Sequence, residues 1–233
     1  ELAALYNQVG QHNEALEIIM SRHFQPWEGG EGAALGQFTR AHLALGRVAL
    51  DKGDPATARK HFEDALNPPA NLGEARHLLA NNSDIQYWIG CALDALGDHK
   101  AARERWHAAS NFKGDFQAMR VQSYSEMTYY SAMAAQKEGQ GRKATALLKN
   151  ILAYAQKLQK TPAKIDYFAT SLPTMLLFDD NLQYRQETQA LMLQAQAKLG
   201  LGEKKPAINL LKRIMKRDPS HPLAADLLGE IKQ

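Results

Sequence analysis

The sequence has little of several features that mark common classes of protein. Its 233 residues include a single cysteine, Cys91, which excludes an intrachain disulfide and a multi-cysteine metal site. No apolar run approaches the roughly 18 residues that span a bilayer, so we expect no membrane partner. The 28 basic residues barely exceed the 25 acidic ones, which argues against nucleic acid as a partner. The histidines lack metal-ligand spacing, and we predict no metal and no cofactor.

The sequence also lacks the short motifs that organise common active sites. It contains no phosphate-cradling glycine loop, no dinucleotide-binding fingerprint and no nucleophile elbow around a serine. We therefore predict no catalytic residues and no enzymatic activity for this chain alone. The chain starts at Glu1, inside a helical pattern and without a signal peptide, so we expect a cytoplasmic piece of a longer protein.

What the sequence does contain is an internal repeat. Five times a glycine is followed, five residues later, by an alanine that opens an apolar helical stretch, and successive glycines lie 43, 44, 42 and 63 residues apart. Periods of about 20–50 residues indicate stacked units of two or more elements. We expect each glycine to end a helix in the left-handed conformation and each alanine to allow close helix packing. The pairs are Gly10/Ala15, Gly53/Ala58, Gly97/Ala102, Gly139/Ala144 and Gly202/Ala207.

The second and third units carry the pattern most clearly, with glycine–aspartate turns at Gly53 and Gly97 and large apolar residues at Phe62 and Trp106. This pattern resembles the tetratricopeptide repeat, a helix–turn–helix unit, although the period exceeds that family's 34 residues. The resemblance implies an all-α, right-handed α-solenoid of about five helix pairs with extra helices, forming one domain over residues 1–233. The predicted elements are units at about 1–21, 33–66, 84–110, 116–160 and 184–218, an extra helix at about 163–178 broken at Pro173, and a terminal cap at 220–232.

Five aromatic residues mark a candidate groove. In tetratricopeptide arrays the first helix of each pair lines the concave surface, so the resemblance implies that some of these rings face a partner. That partner would be a protein, a peptide or the chain's own upstream domain, bound by a non-catalytic scaffold. The alternative is that Trp88 and Tyr130 fill the contacts between units. The five residues are Tyr87, Trp88, Tyr124, Tyr129 and Tyr130.

The segment 22–32 interrupts the repeat with a glycine-rich loop that carries Trp27, Glu28 and Glu31. An aromatic ring beside carboxylates suits a sugar, and paired carboxylates can serve as acid and base in glycoside chemistry. The other interpretation is structural: a rigid loop in which Glu28 or Glu31 caps the helix that follows at Ala33. His23 beside these two glutamates is also the one grouping in the sequence that could chelate a metal.

The stretches 22–32, 69–75 and 82–84 resemble the C-terminal half of a family of large bacterial proteins of unknown function. In that family a β-rich front half similar to galactose-mutarotase-type sugar-binding domains precedes a tetratricopeptide tail. The family pattern has histidine at the position of Gln25. The resemblance implies a carbohydrate-related context, and with it the alternative that the Trp27–Gly32 loop contributes to a sugar site on an adjacent domain.

Overall fold

The computed structural model describes residues 1–25, 30–117, 120–164 and 181–232, and over these ranges the protein is an all-α, tetratricopeptide-like helical repeat. The first ten helices form five antiparallel pairs, and α11 follows the fifth pair. The helices are α1 (Leu2–Gln8), α2 (His12–Met20), α3 (Ala33–Asp51), α4 (Pro55–Leu66), α5 (Ser83–Ala95), α6 (His99–Ser110), α7 (Glu126–Lys137), α8 (Gly141–Lys160), α9 (Leu182–Gly200), α10 (Lys204–Arg217) and α11 (Pro222–Lys232).

The turns within the five pairs share one backbone conformation, which confirms the predicted role of the repeated glycines. In the second pair Gly53 has φ +75°, and its N–H donates to the Leu50 carbonyl at 2.9 Å. The next N–H, that of Asp54, reaches back to the Ala49 carbonyl at 2.9 Å. These two bonds form a Schellman motif, which satisfies the last carbonyls of the first helix. The other four glycines also have positive φ: Gly10 (82°), Gly97 (85°), Gly139 (76°) and Gly202 (83°).

The repeated alanines occupy the points of closest helix packing. All five are completely buried, so no larger side chain has room at these positions without displacing a neighbour. Large side chains fill the remaining space: the Phe62 ring lies against Gly46 of its own pair, and the Trp106 indole lies against Gly90. The five buried alanines are Ala15, Ala58, Ala102, Ala144 and Ala207.

A short antiparallel ladder departs from the helical pattern. Residues 116–125, which the sequence assigned to the fourth helical unit, instead include part of β1 (Asp115–Gln117) and all of β2 (Arg120–Gln122), with Phe116 opposite Val121. Helix α7 begins only after Ser125, whose N–H donates to the Thr128 hydroxyl at 2.9 Å in a capping box. Thr128 takes the position that glutamate or glutamine occupies in other capping boxes. Ser125 followed three residues later by Thr128 therefore marks the start of α7 in the sequence.

The chain divides into two compact units, an N-terminal unit (Glu1–Ala109) and a C-terminal unit (Ser110–Gln233). The first three helix pairs lie essentially within the N-terminal unit and the last two, with α11, within the C-terminal unit. One continuous solenoid over the whole chain stays a prediction. The extra helix expected at about 163–178 falls outside the described residues, apart from Ala163 and Lys164, which are not helical.

No helix among the described ranges combines the length and the apolar character needed to cross a bilayer.

Candidate functional site

In the N-terminal unit the candidate aromatic residues mainly join helices. The Trp88 indole on α5 stacks on the Phe62 ring of α4, with ring centroids 5.9 Å apart. The Arg47 guanidinium of α3 lies 5.8 Å from the centroid of the same indole, and the Tyr87 ring meets it edge-on at 5.2 Å. Tyr87 and Trp88 are both partly exposed. Only part of each ring is therefore open to a partner.

In the C-terminal unit burial removes two of the rings from the surface. Tyr129 and Tyr130 are 7% and 6% exposed and pack edge-on against each other at 5.2 Å. Burial also raises the pKa of the Tyr129 phenol above its ordinary value. Tyr124 is partly exposed and packs against Tyr154 at 5.3 Å. The burial of Tyr130 agrees with the alternative that this ring fills packing contacts, and Tyr129 is also withdrawn from the surface. A binding role for Tyr87, Trp88 and Tyr124 stays a prediction.

The first turn of α5 carries a carboxylate, Asp84, with arginine side chains near it. Burial raises the pKa of the Asp84 carboxyl to about 6, although the Ile85 N–H and the Arg76 and Arg47 guanidinium groups favour its charged form. The Arg76 Nη2 atom donates to the Ala65 carbonyl at 2.9 Å, which ties the segment before α5 to α4. Arg76 therefore links the segment before α5 to α4, and its charge also acts on Asp84 in the first turn of α5.

The candidate loop site is only partly visible. Trp27 and Glu28 lie outside the described residues, and Glu31 is exposed. Glu74 supplies a carboxylate to the start of α3, and the expected capping by Glu28 lies outside the described residues. The two oxygens of Glu74 accept from the Gly32 N–H at 2.6 Å and from the Leu35 N–H at 3.0 Å. A carbohydrate role for the loop stays a prediction.

Two of the segments that carry the narrower resemblance, residues 69–75 and the start of residues 22–32, are joined to each other. The Asn71 side-chain amide donates to the Ile19 and Arg22 carbonyls at 2.9 and 2.8 Å. The Phe24 N–H donates to the Asn71 carbonyl at 2.8 Å, and Leu72 is buried against Ile19. Residues 69–75 therefore hold the start of the loop to the end of α2. Their side chains stabilise the packing of the N-terminal unit.

Replacing Glu74 by glutamine is expected to destabilise the N-terminal unit by about 1–2 kcal/mol, because the helix start loses a charged acceptor for two N–H groups. All three tryptophans lie before residue 110, so tryptophan fluorescence during urea unfolding reports on this unit. Amide exchange at Gly32 and Leu35 should accelerate most. Glu17→Gln, at an exposed carboxylate on α2, should change the unfolding free energy by less than about 0.5 kcal/mol. An equal effect of both substitutions would contradict the capping role.

Helix α1 carries an exposed apolar stripe. Leu2 and Leu5 on α1 and Val9, its C-cap residue, are 51%, 61% and 69% exposed, and their spacing places them along one side. Met20, at the end of α2, is also 51% exposed. Contiguous exposed apolar side chains are uncommon on soluble proteins and mark sites where another surface packs.

Sequence reasoning missed a cluster of potential metal ligands on the second helix pair. His42 on α3 and His61 and Asp64 on α4 bring three ligand atoms within 4.8 Å of one another. Burial lowers the pKa of His42 to about 4 and also lowers that of His61. The i, i+3 spacing of His61 and Asp64 was the available sequence signal. The sequence predicts no metal site, and its one grouping that could chelate, His23 with Glu28 and Glu31, includes Glu28, which lies outside the described ranges.

Comparison with known families supports the repeat assignment. Residues 189–221, which span most of α9, all of α10 and the start of the final turn, match the tetratricopeptide repeat family model. No solved structure matches the chain. The match covers one helix pair, and together with the five helix pairs and five shared turns of the described residues it supports a tetratricopeptide-like helical repeat. Repeats of this class generally mediate protein–protein interaction.

Proposed function

We propose that this chain is a non-catalytic scaffold that binds another protein, and that the apolar stripe of α1 is one of its docking surfaces. The observation that carries the proposal is the exposure of Leu2, Leu5 and Val9 along one helix face. Covering the exposed half of three such side chains stabilises a complex by roughly 2–5 kcal/mol before the costs of association.

The repeat itself indicates what kind of surface fits there. In this chain the first helix of a pair packs against the second helix of the pair before it, as α3 does on α2, α5 on α4 and α9 on α8. Helix α1 is a first helix of the same type. Its partner is therefore expected to be a helix with an apolar face, seated as α2 is seated on α3.

We further propose that this scaffold serves a larger bacterial protein and that the docking helix belongs to an upstream domain of that protein. The resemblance of residues 22–32, 69–75 and 82–84 to the tails of large bacterial proteins supports this assignment. A helix from a separate protein is the other outcome that crosslinking would identify. In either case the chain provides a binding surface and catalyses no reaction.

The experiment compares Leu5→Glu with Leu78→Glu, because Leu78 is a leucine that is 97% exposed and belongs to the loop before α5 rather than to α1. Both substitutions are expected to change stability by less than about 0.5 kcal/mol. A partner captured by photo-crosslinking from position 9 should be reduced at least tenfold by Leu5→Glu and unchanged by Leu78→Glu. Mapping the crosslinked peptide then shows whether it is helical and which chain it comes from.

Equal crosslinking in the two variants, or a crosslinked surface that is not an apolar helix, would overturn the assignment of α1 as the docking surface. A Tyr87→Ala variant is a useful third arm, because that ring is partly exposed on α5. Loss of the partner in Tyr87→Ala but not in Leu5→Glu would move the site from α1 to the predicted aromatic groove.

A further inference from the structure

The helical hairpin of α3 and α4 brings together three side chains that can bind a metal. His42 comes from α3, and the turn at Gly53 returns the chain so that His61 and Asp64 of α4 lie beside it. The His42 and His61 Nδ1 atoms are 3.1 Å apart, and His42 Nδ1 lies 4.0 Å from the Asp64 Oδ2 atom. All three ligand atoms lie within 4.8 Å of one another.

These separations match what a metal ion requires. Zn²⁺ bound by imidazole nitrogen and carboxylate oxygen at about 2.0–2.2 Å places neighbouring tetrahedral ligands about 3.3 Å apart. The separation of the two Nδ1 atoms, 3.1 Å, is already close to that value. The Asp64 oxygen, 4.0 Å from His42 Nδ1, has to move closer, and its side chain is exposed enough to rotate. We propose that His42, His61 and Asp64 bind a divalent transition-metal ion of the zinc class, through the two Nδ1 atoms and one carboxylate oxygen, with water in the fourth position.

The surroundings suit such a site. The His42 ring packs against the Phe38 ring with centroids 4.4 Å apart, and His42 is only 8% exposed, so its orientation is fixed by packing. The Asp64 side chain is 45% exposed, which leaves a path for the ion and for a coordinating water. Two imidazoles and one carboxylate favour zinc-class ions over Mg²⁺ or Ca²⁺, which prefer oxygen ligands.

Without metal the two imidazoles form a hydrogen bond, in which one Nδ1–H donates to the other Nδ1. On metal binding the donor ring carries its proton on Nε2 instead, and both Nδ1 lone pairs point to the ion. Lys60 places a positive charge near His61, and the negative charge of Asp64 offsets it. The proposal does not depend on the protein-binding function.

The test titrates the untagged full chain with Zn²⁺ by calorimetry and with Co²⁺ by visible absorption. We expect one ion per chain, a Co²⁺ spectrum with nitrogen and oxygen ligands, and a higher urea midpoint for the N-terminal unit in saturating Zn²⁺. His61→Gln and Asp64→Asn should each weaken Zn²⁺ binding by at least about tenfold. Side-chain ¹⁵N shifts should identify Nδ1 as the bound atom of both histidines.

His99→Gln is the matched control, since His99 Nδ1 pairs with the Asp94 carboxylate at 2.7 Å on the surface of the same unit. Zn²⁺ affinity should be unchanged in this variant, and excess Mg²⁺ should not compete. Failure of the parent chain to bind Zn²⁺, or equal affinity in His61→Gln, Asp64→Asn and the parent, would overturn the proposal. The cluster would then be a hydrogen-bonded histidine pair only.

Discussion

Replacing Trp106 by alanine is expected to destabilise the N-terminal unit by about 3–5 kcal/mol, the usual cost of removing a large buried aromatic side chain. Trp106 is 4% exposed, and its indole N–H donates to the Tyr87 carbonyl at 3.2 Å. The ring occupies the notch left by Gly90, where an added Cβ would lie 2.4 Å from the indole nitrogen. Alanine leaves this notch empty and separates α5 from α6. Urea unfolding followed by circular dichroism measures the loss.

Trp106→Phe separates the ring from its hydrogen bond. It should cost less than alanine but more than Trp88→Phe, because Trp88 Nε1 is buried without a hydrogen-bond partner within the part of the chain that the structure describes. The difference between the two phenylalanine variants should include about 0.5–1.5 kcal/mol for the bond to Tyr87. An alanine variant that loses less than about 1 kcal/mol would show that Trp106 does not hold α5 to α6.

The repeated turns could be predicted from sequence because their causes are local. A positive φ at Gly53 or Gly97 depends on a few neighbouring residues, and the buried Ala58 and Ala102 follow at fixed helical spacing. Phe62 and Trp106 were recognised as large packing residues, although the structure sets each against a glycine of its own helix pair, Gly46 and Gly90. Local chemistry repeated at a fixed period is thus sufficient to predict the helical pairs.

The features that sequence reasoning missed depend on distant parts of the chain. Glu74 caps α3 from 42 residues away, and no spacing rule relates it to Gly32. His42 meets His61 across 19 residues only because the α3–α4 hairpin sets the two helices in register. Burial of Tyr129 depends on packing from several elements, so its aromatic character alone did not distinguish a core residue from a binding one.

Alanine is expected to have opposite effects at two glycines of the same helix, α3. At Gly46 the new Cβ would lie 2.2 Å from Phe62 Cε1, and because that ring is fully buried and stacked on Trp88, relief requires the helices to separate. We expect a loss of about 1–3 kcal/mol. At Gly36 nothing lies within 4 Å of the added carbon, so alanine should stabilise the helix by about 0.5–1 kcal/mol. Tryptophan fluorescence during urea unfolding measures both, and Phe62→Leu should partly restore stability only in the Gly46→Ala background. If alanine changed the unfolding free energy in the same direction at both positions, helix propensity rather than the contact with Phe62 would decide what Gly46 contributes to stability.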